Sequence, residues 1–249
     1  MTLYLHTLPY HRRTVVMVKV AIAGATGHIG SQLVEALAAG KKHDIIVLSR
    51  APNPLDETFR SLGAELRPIS YSDPASLEKA LAGVHTVVST IFSLDPDVLL
   101  NCQLALLDAA KRTGVKRFVP SEFNVLGKHD DPIEMYRPKA HVSDAVRKSG
   151  LEYTLFENGI YMNYLATGTP GLGPASPINF VVNVGECTAD IPGTGEEGVA
   201  YTRVQDIARF VAASLDLEKW PEVSRMAGEM TTYNKIVAQA ETIRGASAA

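Results

Sequence analysis

Residues 18–30 read VKVAIAGATGHIG, and this stretch decides the fold. Val18 to Ala23 is a short apolar run rich in β-branched residues, which predicts a buried strand. The glycines after it permit a tight turn and a close approach to a pyrophosphate, and the next helix offers free N–H groups to phosphates. A strand, a glycine-rich turn and a helix in this order predict a dinucleotide site. The residues predicted to bind the cofactor there are Gly24, Thr26, Gly27, His28, Ile29 and Gly30.

Strand and helix signals alternate through the first half of the chain. Further strands are predicted at residues 45–48, 65–69, 86–91, 117–120 and 153–156. Helices are predicted from the glycine turn to Gly40, from Asp73-Pro74 to Leu81, from Asp97 to Arg112, from Pro138 to Gly150, from Asp206 to Leu215 and from Thr232 to Arg244. Repeated strand–helix units require a parallel sheet with right-handed crossovers. The predicted fold is therefore α/β, a doubly wound parallel sheet of Rossmann type with a small irregular C-terminal substrate cap.

The same pattern predicts how the chain is divided. Residues 1–16 are expected to form an N-terminal tail, residues 17–158 the dinucleotide-binding domain, and residues 159–249 a smaller cap interleaved with the sheet. Segments 167–177 and 192–198 are dense in glycine and proline, which predicts loops.

Composition narrows the classes of function. The formal net charge of −3 over 249 residues gives no electrostatic reason to expect nucleic acid as a partner. No apolar run approaches the roughly 20 residues that span a bilayer, and the N-terminus lacks the order of a signal peptide. Cys102 and Cys187 lie far apart, the histidines show no metal-ligand spacing, and so no metal site is predicted. We expect a cytoplasmic protein with free thiols.

The end of the second strand indicates which dinucleotide is bound. NAD enzymes usually place an acidic residue there, whereas this chain has Ser49-Arg50. A guanidinium suits a 2′-phosphate, so the predicted cofactor is NADPH, bound in part by Arg50. Ser89 and Thr90 end the fourth strand at the edge where ligands of such sheets bind, and they are further candidates for cofactor contact.

A family resemblance begins at the fifth strand. The segment VKRFVPSEF (residues 115–123), the helix before it, the Lys139-Ala pair, the GLEYT segment (residues 150–154) and Asn158-Gly closely resemble the isoflavone reductase-like family, atypical short-chain reductases within the wider NmrA-like group. The resemblance covers roughly residues 18–217. It implies an NADPH-dependent oxidoreductase that reduces a small aromatic or polyketide-like molecule. It also implies that Lys139 is the catalytic residue, an acid/base or charge stabiliser beside the nicotinamide and its ribose. Phe123 would pack against the nicotinamide, and Asn158 would lie near the pocket.

The chain departs from the family pattern in two places. Asn124 replaces the glycine that usually follows Ser-Glu-Phe, and the sequence stops at Ala249, earlier than in typical relatives. From the early stop we expect an open pocket, which a second copy of the chain could close as a homodimer. Segments 167–177 and 192–198 are then the expected movable walls.

Three alternatives stay open at this point. Tyr136 could be the acid of ordinary short-chain dehydrogenases, but only two residues separate it from Lys139 where those enzymes have three. Pro138 moreover starts the helix after Tyr136. A non-catalytic redox sensor of the NmrA type is the second alternative, and a cofactor-dependent isomerase or dehydratase the third. Retention of Lys139 favours the reductase.

Overall fold

The computed structural model describes residues 17–50, 52–167, 169, 172 and 181–245. The predicted tail and most of the predicted loop at 167–177 lie outside these residues. Six parallel strands form the main sheet: β1 (Lys19–Ala23), β2 (Asp44–Ser49), β3 (Glu65–Pro68), β4 (Thr86–Ser89), β5 (Arg117–Val119) and β6 (Glu152–Tyr153). Their order is β3-β2-β1-β4-β5-β6, which is the doubly wound arrangement of dinucleotide-binding sheets. The predicted fold class is confirmed.

Seven α-helices accompany the strands in the described part of the chain. They are α1 (His28–Gly40), α2 (Asp56–Ser61), α3 (Pro74–Leu81), α4 (Pro96–Arg112), α5 (Arg137–Arg147), α6 (Val204–Ser214) and α7 (Tyr233–Arg244). Asp73 caps α3 by accepting from the Ala75 N–H at 3.0 Å, and Thr232 caps α7 by accepting from the Lys235 N–H at 3.3 Å. The short α2 had no counterpart in the sequence prediction.

The sheet is covered on both faces because alternate residues of its strands point in opposite directions. In β1, Val20 and Ile22 join the core on one face, which includes residues of α1 and α6. Ala21 and Ala23 join the core on the other face, which includes residues of α3, α4 and α5. All four side chains are fully buried, as expected for a central parallel strand.

The predicted strand at residues 153–156 is wrong as a single element. Glu152–Tyr153 pairs with β5, but Leu155–Glu157 forms a separate strand, β7, that pairs in parallel with β12 (Val223–Arg225). The chain changes partner at Thr154, whose buried hydroxyl lies 2.8 Å from that of Ser224. No local pattern marks this point, because the new partner is about 70 residues away in sequence.

The remaining strands belong to two small sheets. A three-stranded sheet joins β8 (Ile160–Tyr161), β11 (Val199–Thr202) and β13 (Glu229–Thr231), and a hairpin joins β9 (Val182–Asn183) to β10 (Thr188–Ala189). The loop at 192–198 is tied to α7, since the Asn234 amide donates to the Thr194 carbonyl at 3.1 Å and its backbone N–H to that of Gly195 at 3.1 Å. None of the helices in the described ranges could cross a membrane.

A buried arginine joins the second half to the sheet. Arg117 on β5 pairs with Glu152 at 2.7 Å and stacks on Trp220 with 4.8 Å to the ring centroid. Its guanidinium also donates to the carbonyls of Leu217 and Glu218, at 2.9 and 2.8 Å. The segment after α6 is therefore fixed beside the last strands of the main sheet.

Candidate functional site

The glycine-rich loop after β1 has three glycines with three different constraints. Gly24 has φ +82°, which L residues rarely adopt, and a Cβ there would lie 2.7 Å from the Thr90 carbonyl oxygen. At Gly30 a Cβ would lie 2.4 Å from the Gly24 carbonyl oxygen and 2.6 Å from the Ala25 Cα. Gly24 thus makes the turn, and Gly30 lets helix α1 pack closely against the loop.

At Gly27 the surrounding protein leaves space for a side chain, and the absence of one leaves room for a ligand. Gly27 is exposed and extended, and a Cβ there would meet only the Gly24 carbonyl oxygen, at 3.3 Å. No side chain caps α1 and its first turn has no acidic residue, so no side chain of that turn offsets the positive end of the helix dipole. Thr26 is exposed beside this turn. This open cradle fits a pyrophosphate.

The other loop residues support the cradle in different ways. Ile29 is buried in the core under α1. His28 is half-buried, and burial lowers its pKa below the usual range, so its ring is neutral near pH 7 and adds no positive charge toward the phosphates. The attraction for an anion therefore comes from backbone N–H groups.

Arg50 follows β2 at the carboxyl edge of the sheet and is exposed. Its positive charge acts to lower the pKa values of Tyr71 and Cys102, which places it near the loop after β3 and near α4. Burial nevertheless raises both pKa values on balance. An exposed guanidinium at this edge fits the 2′-phosphate of NADPH.

Ser89 and Thr90 are buried at the end of β4. The Thr90 hydroxyl is within 2.9 Å of the Ala23 carbonyl oxygen and 3.0 Å of that of Gly24, so it braces the glycine loop. Ser89 is fully buried, and its hydroxyl has no hydrogen-bond partner among the described residues. The structure thus places the Thr90 hydroxyl behind the loop and the Ser89 hydroxyl in the interior, and contact of either with a cofactor stays a prediction.

Three successive carbonyls after β5 each accept a hydrogen bond from a residue more than ten positions further along the chain. The Lys139 ammonium donates to the Glu122 carbonyl, the Tyr161 hydroxyl to the Phe123 carbonyl at 2.5 Å, and the Asn158 N–H to the Asn124 carbonyl at 3.0 Å. The segment needs this support because Phe123 has φ +39°, in the left-handed region that disfavours a residue with a side chain. Residues 122–124 are therefore held in position by hydrogen bonds to all three of their carbonyls.

Phe123 and Asn158 hold residues 122–124 in place through buried contacts in the protein interior. The Phe123 ring is 2% exposed and stacks on Phe156, with 5.8 Å between centroids. Asn158 is fully buried; its backbone carbonyl accepts from the Thr202 hydroxyl at 2.7 Å, while its side-chain oxygen has no partner among the described residues. The packing of Phe123 against the nicotinamide and the place of Asn158 near the cofactor pocket stay predictions.

Lys139 lies in the first turn of α5 and is 8% exposed. Burial lowers the pKa of its ammonium, while the Glu122 carboxylate opposes that shift. The ammonium also lies 5.1 Å from the centroid of the Tyr136 ring, a contact that favours the charged form. The opposing effect of Glu122 was not foreseen.

The Glu122 carboxylate, which opposes the lowering of the Lys139 pKa, is itself buried and hydrogen-bonded. It is 2% exposed, and its Oε1 accepts from the Ser143 hydroxyl at 2.6 Å. Its Oε2 has no hydrogen-bond partner among the described residues. Glu122 lies in the segment that indicated the family, but its side chain gave no sequence signal of a charge directed at Lys139.

Tyr136 was correctly placed outside helix α5, yet it lies beside Lys139. It ends a 3₁₀ turn, Glu134–Tyr136, and directly precedes α5 without a side-chain capping bond. Burial, with Asp131 in addition, raises the pKa of its phenol, and its oxygen accepts from the Asn124 side-chain amide at 2.9 Å. The spacing to Lys139 and the position of Pro138 counted against Tyr136, because both considerations concern only residues on one helix face.

Metal chemistry has no support in the described ranges, where no group of three or more His, Cys, Asp or Glu side chains could hold a metal ion. His129 and His141 contact each other, with 4.5 Å between ring centroids, and His129 pairs with Asp144 at 2.9 Å. Both histidines are exposed.

A glycine-rich loop at a helix N-terminus, on a sheet of this strand order, defines a dinucleotide-binding protein of the Rossmann class. The model of the NmrA-like family matches residues 17–248. The chain belongs to the NmrA-like family, and the resemblance found in the sequence is confirmed.

Relatives in this family include reductases. Oxidoreductase BOA1 of Botryotinia fuckeliana is 34% identical over 236 residues, 92% of this chain and 77% of the relative. The bifunctional pinoresinol-lariciresinol reductase of Linum usitatissimum is 30% identical over 211 residues, 80% of this chain but 65% of the relative. The chain therefore spans about two thirds to three quarters of the length of these proteins.

Solved structures agree with the fold. AtPrR2 with NADP+ and (+)pinoresinol has a TM-score of 0.76 at 25% identity, over 94% of this chain and 78% of that one. The binary complex of leucoanthocyanidin reductase and NADPH from Vitis vinifera has a TM-score of 0.74 at 25% identity, over 92% and 76%.

Proposed function

We propose that this chain, an NADPH-dependent oxidoreductase of the NmrA-like family, reduces a small oxygenated aromatic molecule with Lys139 as its catalytic residue. The enzyme class and the cofactor are confirmed by the relatives and by the cofactor-bound reductases of the same fold. The observation that supports the catalytic role is the buried ammonium of Lys139, held against the Glu122 carbonyl at the carboxyl edge of the sheet.

Different residues would bind different parts of the cofactor. The N–H groups at the start of α1, left open by Gly27, would hold the pyrophosphate. Arg50 would bind the 2′-phosphate through its guanidinium. Bound NADPH supplies the hydride.

Lys139 has the chemistry that such a reduction needs. When a carbon accepts hydride, negative charge develops on a conjugated oxygen of the substrate and must be stabilised or protonated. The Lys139 ammonium uses one hydrogen on the Glu122 carbonyl, which leaves two for an oxygen in front of it. Its lowered pKa makes it a stronger acid than an exposed lysine, so it can also release a proton to that oxygen.

The relatives support an aromatic substrate and suggest which compounds to assay. Pinoresinol reductases and a phenylcoumaran benzylic ether reductase are among them. Benzylic ethers, isoflavones and comparable enones therefore form the panel for assay.

The role of Lys139 is tested by the variant Lys139→Met, which keeps the apolar stem and removes the charge. NADPH oxidation is followed with pinoresinol, phenylcoumaran and isoflavone substrates, and NADPH affinity is measured by calorimetry. We expect turnover to fall by about 10² or more, the usual contribution of an acid–base group, with NADPH affinity nearly unchanged. Lys148→Met is the matched control, because Lys148 is exposed at the other end of α5.

Two results would contradict the catalytic role. Weaker NADPH binding with turnover preserved at saturating cofactor would make Lys139 a cofactor-positioning residue. Full activity and full NADPH affinity would remove both roles and favour a redox sensor. The homodimer, the division into domain and cap, and the cytoplasmic location stay predictions from the sequence.

A further inference from the structure

The residue that departs from the family motif contacts the catalytic lysine's neighbour. Asn124 replaces the glycine expected after Ser-Glu-Phe, and its side-chain amide donates to the Tyr136 hydroxyl at 2.9 Å. The Tyr136 ring lies 5.1 Å from the Lys139 ammonium. A glycine at position 124 could not make this bond, because it has no side chain.

Both partners are held in place but not closed off. The Asn124 carbonyl accepts from the N–H groups of Asn158 and Gly159, at 3.0 and 3.3 Å, and its backbone bridges to Glu157. Tyr136 is fixed as the last residue before α5. Both residues are half-buried, so part of each stays accessible.

The direction of the bond decides what Tyr136 can do. Because its oxygen accepts from Asn124, the phenol's own hydrogen points elsewhere, and no described residue accepts it. Burial and the nearby Asp131 raise the pKa of the phenol, so it stays protonated through the neutral range. Tyr136 is therefore suited to donate a hydrogen bond rather than to act as a tyrosinate base.

We propose that Tyr136, oriented by Asn124, is a substrate-binding residue that donates a hydrogen bond to the same substrate oxygen that Lys139 stabilises. The inference rests on the proposed function, since it places a substrate oxygen in front of Lys139. It adds a neutral donor beside the charged one. A phenolate or enolate oxygen can accept from both donors at once, so the pair selects substrates that develop charge on oxygen.

The test uses 4-nitrophenol as a probe that needs no turnover. Its phenolate is titrated into the complex with NADP+ and followed by its visible absorbance. Wild type should bind the phenolate, and Tyr136→Phe should bind it about tenfold more weakly, as for loss of a hydrogen bond to a charged group. NADP+ affinity should change less than about twofold. Tyr153→Phe is the matched control, because it removes a phenol from β6 outside the site.

Two variants of Asn124 separate orientation from packing. Asn124→Gly should weaken phenolate binding in wild type but have no further effect in Tyr136→Phe, because residues in one hydrogen-bond network are coupled. Asn124→Asp replaces the donor with an acceptor that would take the phenol's hydrogen, so its loss should match that of Tyr136→Phe.

The inference is overturned if wild type does not bind the phenolate, if Tyr136→Phe binds it as wild type does, or if the two losses are simply additive. Failure of the proposed function has a different signature. A protein that binds the phenolate in a Tyr136-dependent way, yet oxidises no NADPH with the aromatic panel, would keep the site and lose the activity.

Discussion

The glycine loop makes a prediction that separates folding from binding. A methyl group added at Gly30 would lie 2.4 Å from the Gly24 carbonyl oxygen, 2.6 Å from the Ala25 Cα and 2.7 Å from the Thr90 hydroxyl. Two of these atoms are backbone of the loop itself, so the loop must move. Overpacking of this kind costs about 1–3 kcal/mol of unfolding free energy, and the better helix propensity of alanine returns at most about 1 kcal/mol. At about 2–4 °C per kcal/mol for a chain of this size, Gly30→Ala should melt several degrees below wild type.

Gly27→Ala should behave in the opposite way. Gly27 has φ −81° and ψ 174°, which any residue adopts, and a Cβ would approach only the Gly24 carbonyl oxygen, at 3.3 Å. We therefore expect the free energy of unfolding to change by less than about 1 kcal/mol. The added methyl group would instead lie where the pyrophosphate approaches the helix N-terminus. A loss of NADPH affinity of about 100-fold is expected, and Gly27→Val should enlarge it.

The assay is thermal unfolding with and without NADPH, at about 100 times the wild-type dissociation constant. Cofactor then stabilises wild type by about 2.7 kcal/mol, or roughly 5–11 °C, whereas a 100-fold weaker variant keeps only about 0.4 kcal/mol. Gly27→Ala should start near the wild-type melting temperature and gain almost nothing. The reasoning is refuted if Gly27→Ala keeps the full cofactor shift, because the dinucleotide would then bind elsewhere. It is also refuted if Gly30→Ala is as stable as wild type.

Two further predictions concern charge. NADPH should bind at least about tenfold more tightly than NADH, and Arg50→Ala should remove most of that difference. The exposed Arg60→Ala is the control and should leave the difference unchanged. Equal affinities of wild type for the two cofactors in calorimetry would exclude the role of Arg50. Only the protonated Lys139 can stabilise or protonate the substrate oxygen, so kcat should fall as pH rises through its lowered pKa. Glu122→Gln removes the charge that opposes the lowering and should move this fall to lower pH. Ser143→Ala is the control that keeps the carboxylate, and an unchanged profile in Glu122→Gln would contradict the coupling.

Local pattern predicted most of the sheet because the relevant signals are local. The central strands β1, β2 and β4 are short buried apolar runs, and α3 begins at a capping residue followed by proline, Asp73-Pro74. The split of residues 152–157 between two sheets was missed for the opposite reason. The Leu155 N–H donates to the Glu222 carbonyl at 2.9 Å, and no pattern near either residue in the sequence predicts that pairing.

The candidate site was predicted by residue type more completely than by arrangement. Lys139 and the segment around Glu122 were found because they lie in recognisable motifs. The bond from Tyr161 to the Phe123 carbonyl was not, because a lone tyrosine 38 residues downstream carries no spacing signal. Tyr136 was discounted for its sequence distance from Lys139, although a 3₁₀ turn before the helix brings its ring within 5.1 Å of the ammonium.

The buried ammonium of Lys139 explains why one short segment holds so many contacts. Burial alone would drive the lysine toward its neutral form, which could neither stabilise a substrate oxyanion nor donate a proton. Glu122, in the segment after β5, stabilises the charged form of Lys139 in two ways. Its carbonyl accepts a hydrogen bond from the ammonium, and its carboxylate acts to raise the pKa of Lys139. The left-handed Phe123 lies directly after that carbonyl, and the Tyr161 hydroxyl binds the next one. Position and charge of Lys139 therefore depend on the same few residues, so a change at Tyr161 should alter catalysis through Lys139 without touching the substrate.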